Sequence, residues 1–273
     1  MRPLTLSSKL FLVTVIVVSV VIPFQFWHGV WFGRPLTDGE LDQYLNSDRE
    51  PRHIQHALAQ IEERIRHGDA GVQRWYGQIT RLGTHSREDI RLEAAWVMGQ
   101  DNQSRQFHQA LLQMLEDEHP LVRRNAALSL VRFGEERAVP TLRAMLEPSV
   151  IRAQVAGRIS FSVRAGEWVS RGEEVARIFV TEHTSQRVTA GLSGSVQSLS
   201  KTAGATVARG DVTLVLAPDP EHVWEALRAL YIVGDESELD LVEPFQKDPR
   251  YEEKVRAQAR LTAQAIRQKR RGG

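Results

Sequence analysis

The chain has 273 residues, with 35 Lys and Arg against 34 Asp and Glu, a net charge of +1. So even a balance gives no whole-chain attraction for nucleic acid, and the absence of cysteine excludes disulfides, thiol nucleophiles and thiolate metal sites. The length allows one large or two modest domains.

Residues 1–9 carry Arg2 and Lys9, and from Leu10 to Phe32 there is no Asp, Glu, Lys or Arg. That run is long enough to cross a hydrocarbon core of about 30 Å as a helix. Trp27 and Trp31 lie toward its far end, where aromatic rings favour the headgroup layer. The alternative is a cleaved signal peptide, but no small-x-small cleavage site follows the apolar stretch. Residues 10–32 are therefore expected to be an uncleaved transmembrane anchor. Arg2 and Lys9 precede it, while Asp38, Glu40 and Asp42 follow soon after Arg34. The positive-inside bias then places residues 1–9 in the cytoplasm and the bulk of the chain in the periplasm.

The period beyond the anchor is helical. Two segments, from Asp89 and from Leu121, align at a spacing of 32. Ile90 matches Val122, Arg91 matches Arg123, Ala94-Ala95 matches Ala126-Ala127, and Met98 matches Leu130. Each reads as helix, short turn, helix, with paired alanines that let neighbouring helices approach closely. A degenerate earlier copy runs from Ile54 to Leu82, with Ile54, Leu58, Ile61 and Ile65 as its first stripe. A later copy occupies 222–245, and a last amphipathic helix starts near Tyr251 and ends near Arg267. The basic tail at 268–273 is expected to be disordered.

Between these helical parts the pattern changes again. Residues 153–178 and 190–216 repeat one motif: Ala153, Gly157 and Ile159 match Ala190, Gly194 and Val196 at a spacing of 37. Gly166, Val169, Gly172 and Ile178 match Gly204, Val207, Gly210 and Leu216 at 38. Six glycines, Gly157, Gly166, Gly172, Gly194, Gly204 and Gly210, are expected to make tight turns with positive φ. Val169 and Val207 are expected to plug the interior. Pro148 and Pro218-Asp219-Pro220 bound the unit as an insert. Either the helical array stacks through across it, which requires its ends to lie close together, or two separate helical domains flank it.

Two family resemblances follow. V-R-x-x-A-A-x-x-L at 122–130 with A-V-P-x-L at 138–142 resembles HEAT repeats. The duplicated unit resembles the biotinyl/lipoyl-like domains, which are covalent cofactor carriers or parts of periplasmic adaptor (membrane fusion) proteins. A carrier places a modified lysine on the hairpin between its halves. Here that stretch is Val180 to Gln186, with His183 at the lysine position and no lysine at all. The resemblance therefore implies an unmodified domain and no cofactor. Against the usual adaptor, only a short turn joins the halves, and helices follow instead of further β domains. The expected fold is α+β and multidomain: a transmembrane helix, a HEAT-like α-solenoid at 37–148 and 220–267, and an inserted lipoyl-like β barrel-sandwich at 151–218.

The chemistry-bearing candidates are sparse. His53 and His56, with Glu62 and Glu63 further on, have a spacing that could hold a metal, but nothing completes the shell. No phosphate loop and no Ser/His/Asp set is recognisable. Arg91, Arg123 and Arg256 each follow an apolar residue and could form a ladder between stacked helices. Trp168, Glu182 and His183 are the candidate partner contacts. The β unit carries eight Lys or Arg against five acids, an excess suited to an acidic partner. No catalytic, cofactor or metal site is expected. The expected function is a non-enzymatic, membrane-anchored periplasmic scaffold or adaptor that binds other membrane or periplasmic proteins in a transport or envelope complex, possible as an oligomer. The alternative is an accessory or regulatory subunit of a membrane enzyme complex.

Overall fold

A computed structural model describes residues 34–47 and 49–272. They fall into two compact units, divided between Gln60 and Ile61.

The first unit holds helix α1 (Asp38–Leu45) and most of α2 (Pro51–Arg66). Thr37 begins α1 with a capping box: its hydroxyl accepts from the Glu40 N–H, and the Glu40 carboxylate accepts from the Thr37 N–H at 2.8 Å. Leu41, Leu45, Ile54, Ala57 and Leu58 are buried. Gln60 ties down the incoming chain, accepting from the Leu36 N–H and donating to the Arg34 carbonyl.

The second unit starts with a 3-10 turn (Ala70–Trp75) and α3 (Tyr76–Leu82), then runs through two helix pairs. These are α4 (Glu88–Met98) with α5 (Arg105–Met114), and α6 (Pro120–Val131) with α7 (Val139–Leu146). Proline opens α6 and sits in the first turn of α7, where its missing N–H has no helical partner to lose. Ala94, Ala95, Ala126 and Ala127 are fully buried where α4 meets α6. The Ser129 hydroxyl donates to the Ala95 carbonyl at 2.8 Å across this contact. After the β unit come α8 (Pro220–Val233), the single turn α9 (Leu239–Val242) and α10 (Glu253–Gly272). Helix α8 packs on α6, α7 and α10, and buried Thr262 of α10 donates to the Leu227 carbonyl of α8 at 2.7 Å.

The β unit has eight strands: β1 (Ser149–Arg152), β2 (Gly157–Phe161), β3 (Trp168–Val169), β4 (Glu174–Phe179), β5 (Ser185–Thr189), β6 (Gly194–Leu199), β7 (Thr206–Val207) and β8 (Val212–Leu216). They form two four-stranded sheets, β1-β8-β6-β3 and β5-β4-β2-β7. Exchanging the halves (β1 with β5, β2 with β6, β3 with β7, β4 with β8) turns one sheet into the other. Each sheet therefore contains strands from both halves, and Ile159, Val169, Ile178, Val196, Val207 and Leu216 share one core. The bonds repeat too: Gly166 N–H donates to Val196 O and Gly204 N–H to Ile159 O, both at 2.7 Å. Strand β1 pairs antiparallel with β8, Ser149 opposite Leu216, so the insert enters and leaves side by side.

Four expectations need correction. The β unit is not a closed barrel. Both sheets are open, because β3 and β7 are two residues long and continue no ladder beyond β6 and β2. No transmembrane helix is present among the described residues, since none of their helices is long and apolar enough to cross a membrane; the expected span at 10–32 lies outside the described residues. The basic tail is helical, because α10 runs to Gly272 and Lys269 donates to the Ile232 and Gly234 carbonyls at the end of α8. Finally, of the six glycines expected to have positive φ in the β unit, only Gly166, Gly172, Gly204 and Gly210 do. Gly157 and Gly194 start strands, where a Cβ would sit 2.4 Å from the Phe179 carbonyl oxygen and 2.3 Å from that of Ala217. Close backbone crossing, not a turn, requires them.

Candidate protein-interaction surface

The structure separates the residues expected to meet partners. Trp168 lies on β3, an edge strand of the first sheet, and is 47% exposed. Glu182 and His183 lie between β4 and β5 of the second sheet, exposed to solvent. The Thr181 hydroxyl accepts from the His183 and Thr184 N–H groups, which shapes the hairpin tip. These three residues do not form one site.

His53 and His56 are engaged within their own unit. His53 stacks on Tyr44 with centroids 4.1 Å apart and pairs with Glu50, while His56 Nε2 accepts from Gln60. Among the described residues no group of three or more His, Asp or Glu is placed to hold a metal.

Arg91 and Arg123 converge on one turn, between α5 and α6. Arg91 makes a two-pronged bond to the Asp117 carboxylate at 2.7 and 2.9 Å, and reaches the His85 carbonyl. Arg123 repeats the carbonyl contact one helix pair later, donating to Asp117 O and Glu118 O. Burial pushes the Asp117 carboxyl up, but the bonds from Arg91 and the His119 N–H outweigh it and hold its pKa below the ordinary value. Arg256 is not part of this arrangement and pairs with Glu253 on its own helix. Glu88, at the start of α4, contacts both His119 and Arg171, so it ties the β3–β4 turn to the helical array.

The largest departure from the sequence reading is a groove that no motif announced. Residues of α4, of α6 and its C-cap, and of α8 line about 350 Å³: exposed Trp96, Arg132, Arg228 and Ile232 at the rim, with Leu128 and buried Val131 beneath. Trp96 is 47% and Ile232 57% exposed, which is unusual for side chains of that size. Arg132 donates to Gln100 at 2.8 Å, and Arg228 lies over the Trp224 ring at 4.6 Å, so both cations are held in place. The one sequence signal was helical period: Trp96 falls outside the i, i+4 stripe of Ile90, Ala94 and Met98. Ile232 could not be paired with it before α8 was known to pack beside α6.

Next to the groove, Arg124 of α6 donates to His222 Nδ1 of α8 at 3.1 Å. Burial, then the neighbouring Arg124 charge, lowers the His222 pKa, and burial lowers that of Arg124. Burial, then Glu221 and Asp219, raises the Glu225 carboxyl. On α4, Glu93 is pushed up to about 7 by burial and by the nearby Asp89 and Glu62 carboxylates.

Comparison with known proteins agrees with the helical part. A family model described as HEAT repeats matches residues 79–157. No curated protein matches the chain. Among solved structures, the chain is similar to the urea carboxylase of Kluyveromyces lactis at 25% identity and a TM-score of 0.25. That match covers 26% of this chain, and the chain spans 6% of that protein's length. HEAT repeats generally mediate protein–protein interactions, because stacked helices expose long surfaces.

Proposed function

We propose that the chain is a non-enzymatic scaffold or adaptor that holds partner proteins within a transport or envelope complex. The observation that carries this reading is the groove where Trp96 and Ile232 stand exposed above Leu128 and Val131. Large aromatic and aliphatic side chains left in water on a packed helical array are the usual anchor of a protein interface. In the same proposal, the β unit is a lipoyl-like domain of the periplasmic adaptor kind, kept for its surface. The exchange of strands between its halves supports this kinship, and His183 at the hairpin tip leaves no amine for a prosthetic group.

The test is photo-crosslinking in living cells from a reactive side chain at Ile232. A discrete protein adduct is expected, and it should vanish when Trp96 is changed to Asp. An adduct that survives Trp96→Asp, or none at all, overturns the reading. The periplasmic location expected from the charge-free run at 10–32 belongs to the proposal. It is checked separately by a C-terminal reporter fusion, where activity confined to the cytoplasm refutes it.

A further inference from the structure

The β unit presents two equivalent outer faces with different chemistry. In the second sheet, Arg177 of β4 stands directly opposite Arg187 of β5, and Arg158 of β2 stands opposite Phe179 of β4. Residues opposite one another in register share a face. Ile159 and Ile178, one step along, point into the core, so the arginines and Phe179 face away from it. Phe179 is 42% exposed, and Val180 beside it 48%.

The duplication supplies an internal control. At the matching register position of the first sheet, Val150 stands opposite Val215. Arg158 corresponds to Ser195, and Phe179 to Ala217, at the spacings of 37 and 38. The same backbone thus folds with an uncharged pair there, so folding does not require the arginine pair. Like charges directly opposite are in fact unfavourable in a sheet. Here Glu174 offsets part of that cost, accepting from both Arg177 and Arg187. One carboxylate stands against three guanidiniums, and the Arg158 guanidinium has no hydrogen bond or ion pair among the described residues.

This face also borders an open edge. Among the described residues no strand pairs with the outer side of β5. Outward N–H and C=O groups of an edge strand are a template for another extended chain.

We propose that the outer face of the β5-β4-β2-β7 sheet binds an acidic, extended segment of a partner protein, which adds as a strand alongside β5. Its carboxylates pair with Arg187 and with Arg177 behind it, Arg158 adds positive potential further across the face, and an apolar side chain reaches Phe179 over Ser185. This deepens the scaffold reading and rests on it only for the statement that partners are proteins.

The test uses the full chain and a short fluorescent peptide of alternating glutamate and valine, followed by anisotropy. The peptide is expected to bind, to weaken as salt rises, and to lose affinity by about tenfold or more in R177V/R187V. That variant installs the valine pair the first sheet already tolerates, and circular dichroism checks that it folds. Alternate N-methylation of the peptide backbone should abolish binding, because an added strand needs those N–H groups. Trp96→Asp should leave peptide binding unchanged, so loss of the groove adduct and loss of peptide binding are separate results. Equal binding by R177V/R187V overturns the proposal. So does a lysine–valine peptide that binds as well, or tighter binding of single-stranded DNA or phosphatidylglycerol vesicles through the same arginines.

Discussion

Arg124 and His222 are 98 positions apart in the chain, and 3.1 Å separates their bonded nitrogens. All of the β unit lies between them in sequence, yet the bond joins two packed helices. It forms because β1 and β8 run side by side, which returns the chain to the array close to where it left. The guanidinium donates and Nδ1 accepts, so the bond requires that nitrogen to be unprotonated.

The pH dependence of this seam follows. The His222 pKa is lowered from 6.5 in the folded chain, so the unfolded chain binds more protons at mildly acid pH. The contribution to stability is present above pH 6.5 and is lost as pH falls through the lower folded value. Asp219 and Glu221 face the imidazole and oppose part of the effect, while Arg124 and burial drive it. The thermal midpoint should therefore drop on acidification below pH 6.5, and His222→Asn, which can still accept from Arg124, should flatten that drop. An unchanged slope in the variant would remove His222 from the account.

Glu93 shows the opposite sign. Its folded pKa is about 7 against an ordinary 4.5, so the folded chain holds the extra proton and stability declines as pH rises from 4.5 through 7. Glu93→Gln should raise stability at pH 8 by about 1–2 kcal/mol, allowing for solvent screening of a half-buried group, and change little at pH 4.5. Urea titrations at the two pH values decide it. A gain of equal size at both would mean that ionisation is not the cause.

The glycines of the β unit give a paired prediction about packing. Gly194→Ala places a Cβ 2.3 Å from the Ala217 carbonyl oxygen and should cost about 1–3 kcal/mol. Gly191→Ala, three residues earlier, meets nothing within 4 Å and has no positive φ, so its effect should stay within about 0.5 kcal/mol. Denaturant midpoints of the two variants provide the measurement, and similar values would refute the close-crossing explanation.

Much of the helical part was legible along the chain. The 32-residue spacing of Ala94-Ala95 and Ala126-Ala127 marks surfaces that must come close, because only a methyl-sized side chain lets helices approach so far. The 37- and 38-residue echo in the β unit was legible for the same reason: each half repeats its turn glycines and core valines. The roles of those glycines were not all legible. Gly157 and Gly194 look like Gly166 and Gly204 in sequence, and only the crossing strand distinguishes close approach from positive φ. The open sheets, the helical end of α10 and the groove were equally hidden. Sheet pairing, helix-end capping by Lys269 and the groove that Trp96 and Ile232 line together all depend on residues far apart in the chain.

What is local and periodic could be read along the chain: where helices pair, where the duplicated strands turn, and that no lysine stands at the hairpin tip. The exchange of strands between the halves, and the return of α8 to α6 and α7, emerge from packing. The tertiary structure alone showed that Arg158, Arg177 and Arg187 share one face. Periodicity records which side of an element is buried, whereas the partner that buries it, and the residues left in water, are set by how the elements pack.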